Sequence, residues 1–307
     1  MIVGTNAEET TVSAAQNTES DTEAQPTSAE EAIAVCMASS GAVVEMSVRE
    51  YCIGAVAGEM PALYEVEALK AQAAACMNLA RRAVLQGTSD RLFGAHISSS
   101  AAQAQAYLTE EQMRQKWGNA YDVYYARIAA AVDAVLPYAV MYENELCQTC
   151  FHAVSPGKTE NSENVWVAAT DYLVAVDSSF DSTAEHFETT IMLSADEFAD
   201  KLTDYGFEPT QNARLWLGEA DYSDSGTLLA LEVGDITLSG AQLRTAFGLR
   251  SAAVTVVYED GEFILTTRGY GHGVGMSQYG AQQLALQGMT WQEIIKYYYT
   301  GVEIVPL

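Results

Sequence analysis

Arg268-Gly-Tyr-Gly-His-Gly-Val-Gly-Met-Ser-Gln-Tyr-Gly-Ala281 places a glycine at every second position from Gly269 to Gly275. Each of those glycines costs backbone entropy and contributes no side chain to packing, so a strand tolerates them badly. A compensating role is needed, and close approach of bare backbone to another group supplies one. Arg268, Tyr270, His272, Ser277, Gln278 and Tyr279 are carried along the same run and become candidate contact residues. The competing reading is a glycine-rich turn from strand to helix that holds a packed histidine. A phosphate cradle is excluded, because the spacing is neither GxGxxG nor a P-loop and no lysine follows.

Working outward, residues 253–258 and 263–267 read as strands joined by a hairpin at Asp260-Gly261. Residues 215–217 and 228–233 are further strands. Residues 282–287 and 291–299 read as helices, as do 238–247 and 194–204, the latter with Ser194 and Glu197 as a capping box. Nearer the N-terminus, short strands are expected within 33–48 and a helix over 48–57. A longer helix is expected over 62–86, with Pro61 in its first turn and Gly87 as its stop. Its alanine-rich stretch, 71–83, suits close packing under a sheet, and Arg81-Arg82 suit the negative end of the helix dipole. Residues 109–135 read as helical, and 140–154 as two strands around Glu143-Asn144. The class this predicts is α+β, with helices packed around short, mostly antiparallel strands and a central substrate cleft.

The 307 residues include 15 basic and 41 acidic side chains, for a formal charge of −26. That balance excludes nucleic-acid binding, which rests on Lys and Arg neutralising phosphates. It also disfavours anionic membrane surfaces, and a neutral, basic or zwitterionic partner fits better. The first 31 residues hold seven acids and no Lys or Arg. Residues 1–35 are therefore expected to be a disordered acidic linker ahead of a domain over 36–307, with 186–250 as a sub-lobe walling one side of the cleft. No run of 18 apolar residues occurs, so membrane contact is expected only through an anchor absent from this sequence.

Two clusters carry candidate chemistry. Glu59 follows Gly58 in the corner between two expected helices. A helix N-terminus there favours the charged carboxylate, while burial favours the neutral acid. Catalysis requires burial to win; the alternative is an exposed carboxylate, and Glu160 and Glu163 are the rival acids. Cys147-x-x-Cys150-x-His152 offers three ligands for a structural zinc, with His272, His96 or water as the fourth. A local disulfide or two buried thiols are the rivals. Cys36, Cys52 and Cys76 read as buried thiols, and His96 as structural. Ser277 is not in GxSxG, so a nucleophile elbow is excluded. The polar loop 155–166 suits either a hydroxyl- or amide-rich ligand or a solvated crossover.

Four segments together resemble the stage II sporulation protein D family, which includes the amidase enhancers. They are Arg268–Ala281 with the stretch 288–301, Tyr51-Cys-Ile-Gly-Ala-Val-Ala-Gly-Glu-Met-Pro61 running into Ala68–Ala73, Phe151-His-Ala-Val-Ser-Pro-Gly-Lys-Thr-Glu-Asn161, and Ser239–Phe247. The resemblance covers residues 36–307 in the family's order. It implies a peptidoglycan lytic transglycosylase that cuts denuded glycan strands during sporulation, with Glu59 as the single acid/base. The alternative within the family is a non-catalytic glycan-binding enhancer of a cell-wall amidase; a zinc hydrolase is a third reading. The resemblance further implies substrate contacts from His152, Lys158 and Thr159, zinc on Cys and His near that loop, an extracytoplasmic, membrane-anchored setting, and a partner amidase. Ser155-Pro156-Gly157 stands where the family often has a glycine pair.

Overall fold

The computed structural model describes residues 31–307 except Val167. The expected acidic linker, up to residue 30, lies outside the described residues. Its boundary at 35 is corrected, because β1 (Ala32–Cys36) is already a core strand. It pairs antiparallel with β2 (Val43–Ser47) and parallel with β3 (Ile97–Ser98).

The main body is built on α2 (Val66–Gln86), which packs against α1 (Val48–Glu59), α4 (Tyr121–Val135), α7 (Gln278–Leu286), α8 (Trp291–Tyr298) and strand β4 (Tyr138–Tyr142). Ala68, Ala71, Ala73, Ala75 and Ala80 are fully buried. Small side chains let several axes approach one helix, so the alanine stretch serves mainly helix packing rather than packing under a sheet. Leu69, Met77 and Ile128 are buried here, each worth about 1.5–3 kcal/mol of transfer free energy.

Two polar side chains of α2 brace the strands. Asn78 donates to the carbonyls of Val140 and Cys147 and accepts from the Val140 N–H. Arg81, expected at the helix dipole, is instead buried and donates to the carbonyls of Leu136 and Tyr138. The helix starts at Val66, later than expected, because residues 61–65 form a turn closed by Tyr64 N–H on the Pro61 carbonyl. Gly87 ends it with φ 81°. The expected 109–135 helix is two, α3 (Glu110–Trp117) and α4, separated at Gly118.

β4 pairs with β5 (Glu145–Leu146) across the expected turn, where Glu143 and Asn144 both take positive φ, and with the C-terminal β14 (Glu303–Pro306). β6 (Phe151–His152) lies parallel to β13 (Met276–Ser277).

A second core is formed by Phe198, Trp216, Leu243 and Phe263, with the Phe198 and Phe263 rings stacked at 3.9 Å. It lies between two three-stranded antiparallel sheets and two helices. One sheet has the order β11 (Val254–Glu259), β12 (Glu262–Arg268), β7 (Glu188–Ser194); the other has β10 (Ile236–Leu238), β9 (Leu228–Val233), β8 (Leu217–Tyr222). The helices are α5 (Ala195–Leu202) and α6 (Gly240–Phe247). The lobe expected over 186–250 therefore extends through β11 and β12. Its first and last residues meet: Glu188 pairs with Arg268, and the Gly269 N–H donates to the Phe187 carbonyl at 2.8 Å. The class is α+β, as expected. Among the described residues no helix is long and apolar enough to cross a membrane.

Candidate active site

The glycine run leaves β12 and lies along residues 150–160. Tyr270 and Val154 exchange backbone hydrogen bonds, the Glu160 N–H donates to the Gly273 carbonyl, and the Met276 N–H donates to the Cys150 carbonyl. A Cβ on Gly275 would sit 2.1 Å from the Cys150 oxygen, and one on Gly269 2.7 Å from the Val154 oxygen. The close approach read from the sequence is real, and its object is the chain's own backbone at 150–160.

That seam sets His152 beside His272, with ring centroids 5.7 Å apart. One residue fixes both rings. The Val274 carbonyl accepts from His152 Nδ1 at 3.2 Å, and the Val274 N–H donates to His272 Nδ1 at 3.1 Å. His152 therefore carries its proton on Nδ1 and leaves Nε2 bare; that atom is buried without a partner. Burial keeps both rings neutral, pushing His152 down to about 3, helped by its neighbour His272. His272 is pushed down to about 4, with the Arg244 charge adding to the effect of burial.

Trp166 lies against His272 at 5.1 Å and is 39% exposed. Both line a pocket of about 460 Å³ whose other wall is residues 101–105. Sequence reading missed Trp166 as a contact residue; a tryptophan in so polar a loop was the available signal.

The next residue of that wall, Ala106, donates its N–H to Glu59 Oε1. Gln278 Nε2 donates to Oε2 at 3.3 Å and reaches Gln72 Oε1 at 3.4 Å. Glu59 is the last residue of α1, not a neighbour of a helix N-terminus, so the expected stabilisation of its charge is corrected. The negative end of the α1 dipole and partial burial both oppose ionisation. Burial raises its pKa, and the two hydrogen bonds offset this only in part. Both bonds come from donors. Neither takes the proton of the neutral acid, which is left for an acceptor from outside.

Several predicted contacts prove to be scaffold. Ser277 is fully buried; its hydroxyl caps α7 by accepting from the Gly280 N–H and donates to Asp181 at 2.6 Å. Thr159 is fully buried and accepts from the Val176 N–H. These two cannot touch substrate without rearrangement. Lys158 is half-buried in a backbone bridge to Asp177, and the Tyr279 hydroxyl lies 3.1 Å from Thr183. Arg268 is paired with Glu188 at 2.9 Å, and Tyr270 is 47% exposed under the Arg250 guanidinium. The rival acid Glu160 is buried, bound by Asn164 and Ser223, and ties the loop to the lobe. His96 accepts from the Ala34 N–H, a structural role as expected.

The zinc set does not assemble. Among the described residues no three His, Cys, Asp or Glu side chains converge to hold a metal. Cys147 and Cys150 are buried free thiols, pushed up by burial to about 12 and about 11.

Comparison with known proteins agrees with the four segments. Residues 37–142 match the SpoIID family, described as Stage II sporulation protein. Stage II sporulation protein D of Bacillus subtilis (strain 168) is 34% identical over 263 residues, covering 85% of this chain and 75% of that protein. Its namesake from Bacillus amyloliquefaciens is 34% identical over 284 residues, covering 92% and 81%. The amidase enhancer of Bacillus subtilis is more distant, at 23% identity over 82% of this chain and 40% of its own length. On the extent and identity of these matches, the chain belongs to the stage II sporulation protein D family.

Proposed function

We propose that this chain is a lytic transglycosylase acting on denuded peptidoglycan strands in sporulation, with Glu59 as its one acid/base. The observation that carries the reading is the half-buried Glu59 carboxyl, whose pKa burial raises and which is hydrogen-bonded only to donors. Such a group protonates the glycosidic oxygen as the bond to the leaving sugar breaks. The resulting carboxylate is then stabilised by the Ala106 N–H and Gln278 amide. It takes back the proton of the muramoyl 6-hydroxyl as that oxygen closes on the anomeric carbon. One carboxyl serves both steps, so the paired carboxylates of ordinary glycosidases are not required. Trp166 and His272 supply an apolar wall for a sugar ring. Because peptidoglycan lies outside the cytoplasm, this reading places the chain there, working after an amidase that strips stem peptides.

The test is Glu59→Gln. It is expected to fold, as read by circular dichroism, to keep glycan binding, and to lower release of anhydro-muramoyl ends about 10²–10⁴-fold. Undiminished release removes Glu59 from the mechanism. The second reading, a binding module that stimulates a separate amidase, is favoured by the relative named amidase enhancer. Denuded strands incubated with the purified chain separate the two: soluble anhydro-sugars identify the enzyme, and binding without release identifies the module.

A further inference from the structure

A second concavity of about 540 Å³, sharing no lining residue with the Trp166 pocket, is lined by Arg244, Thr245, Arg250 and Tyr270. Arg244 comes from α6 and Arg250 from the segment just after it, so the lobe supplies the cations and the glycine run supplies the ring. The two are joined by the Gly271 N–H donating to the Arg250 carbonyl at 3.0 Å. The Arg250 guanidinium lies 4.5 Å over the Tyr270 ring.

Acids outnumber bases 41 to 15 in this chain. Even so, neither half-buried arginine has a carboxylate partner among the described residues, whereas Arg49, Arg81, Arg114 and Arg268 each do. Among the described residues, Arg250 Nε is buried with no hydrogen-bond partner, and Arg244 spends only its Nε, donating to the Leu249 carbonyl at 3.4 Å. Two guanidinium ends therefore face one pocket with their charge uncompensated. Planar bidentate donors of this kind match a carboxylate. The pocket also adjoins the site already described, since Tyr270 in its lining stands two residues before His272 in the other.

We infer that Arg244, Arg250 and Tyr270 form a carboxylate subsite that takes the lactyl carboxylate of a muramoyl residue in the bound strand. The inference rests on the glycan-strand reading above. A chain carrying −26 repels an anionic strand overall, so local cations must offset that repulsion wherever each carboxylate lands. The subsite also discriminates. Where a stem peptide is attached, the lactyl carboxyl is tied up as an amide and offers no anion. The step that must precede this protein is hydrolysis of that amide, and the arginine pair reads its product.

The experiment uses the Glu59→Gln chain, whose expected slow turnover lets binding be read before cleavage. Calorimetry compares a tetrasaccharide from denuded strands, the same sugar with its lactyl carboxylates converted to methyl amides, and a free stem tetrapeptide. The expected result is about tenfold weaker binding of the amide, the size of a lost charge-assisted pair, and no binding of the peptide. Arg244→Gln and Arg250→Gln are each expected to bring the acid down to the affinity of the amide and to leave the amide unchanged. Equal affinity for acid and amide in the parent chain overturns the subsite without recourse to any arginine variant. Equal weakening of both sugars by the arginine variants also overturns it, and so does peptide binding that depends on the arginines. Selective binding together with no cleavage by the unsubstituted chain overturns catalysis and leaves the subsite standing.

Discussion

At residue scale, the tuning of Glu59 begins one residue earlier. Gly58 leaves room for the 106–107 backbone to press against α1; a Cβ there would lie 2.9 Å from the Ala106 carbonyl carbon. Gly58→Ala is therefore expected to push Ala106 away, costing about 1–3 kcal/mol of stability as an overpacked contact. It also removes a donor from the carboxylate, so the pKa of Glu59 moves further up. Carbon-13 NMR of the labelled Glu59 carboxyl reads that shift, and an unchanged titration sinks the account. The resemblance of its flanking residues singled out Glu59; its environment was not legible. Pro61 suggested a helix start that the turn at 61–65 replaces, and the donors Ala106 and Gln278 arrive from distant parts of the chain.

At element scale, the glycine run and the 150–160 segment behave as one structure. Gly275→Ala combines positive φ (72°) with a Cβ 2.1 Å from fixed backbone. The expected cost is about 3 kcal/mol or more, since neither strain nor clash can relax cheaply. Urea unfolding reads it; a variant as stable as the parent means that the seam does not hold the two segments. Alternating glycines made a close approach legible, yet only the fold shows what is approached. α7 illustrates a different limit. Sequence reading began it at Gln282, whereas it starts at Gln278. Gly280 is there because Tyr298, Phe180 and Ser178 occupy the space a Cβ would fill, with the Tyr298 hydroxyl 2.0 Å from its position. The hairpin at Asp260-Gly261 and the capping box at Ser194 came out as read, since their signals are local. The spacing of the CxxC pair does not show what the fold adds, that both cysteines are buried.

At the scale of the whole molecule, acid sensitivity follows from the paired imidazoles. Both stay neutral when folded, at about 4 and about 3, while an unfolded histidine titrates near 6.5. Their contribution to stability is fully present above pH ~6.5 and is lost as pH falls towards those folded values, by about 2 kcal/mol each at pH 5. Asp181 opposes this. Burial raises it to about 6, so its contribution is present at low pH and lost as pH rises through that value. The net expectation is a falling unfolding midpoint from pH 7 to 5, with a shallower slope in His272→Gln. An equal slope in that variant contradicts the assignment.

The lobe from Glu188 to Arg268 leaves and rejoins the body at hydrogen-bonded neighbours. Such an arrangement makes it a detachable cassette. A loop of any length, or a differently shaped cassette, could be grafted between Phe187 and Gly269 without rerouting the polypeptide around Glu59. Diversification of the lobe can thus proceed in the graft while the backbone seam that carries His152 and His272 stays unchanged.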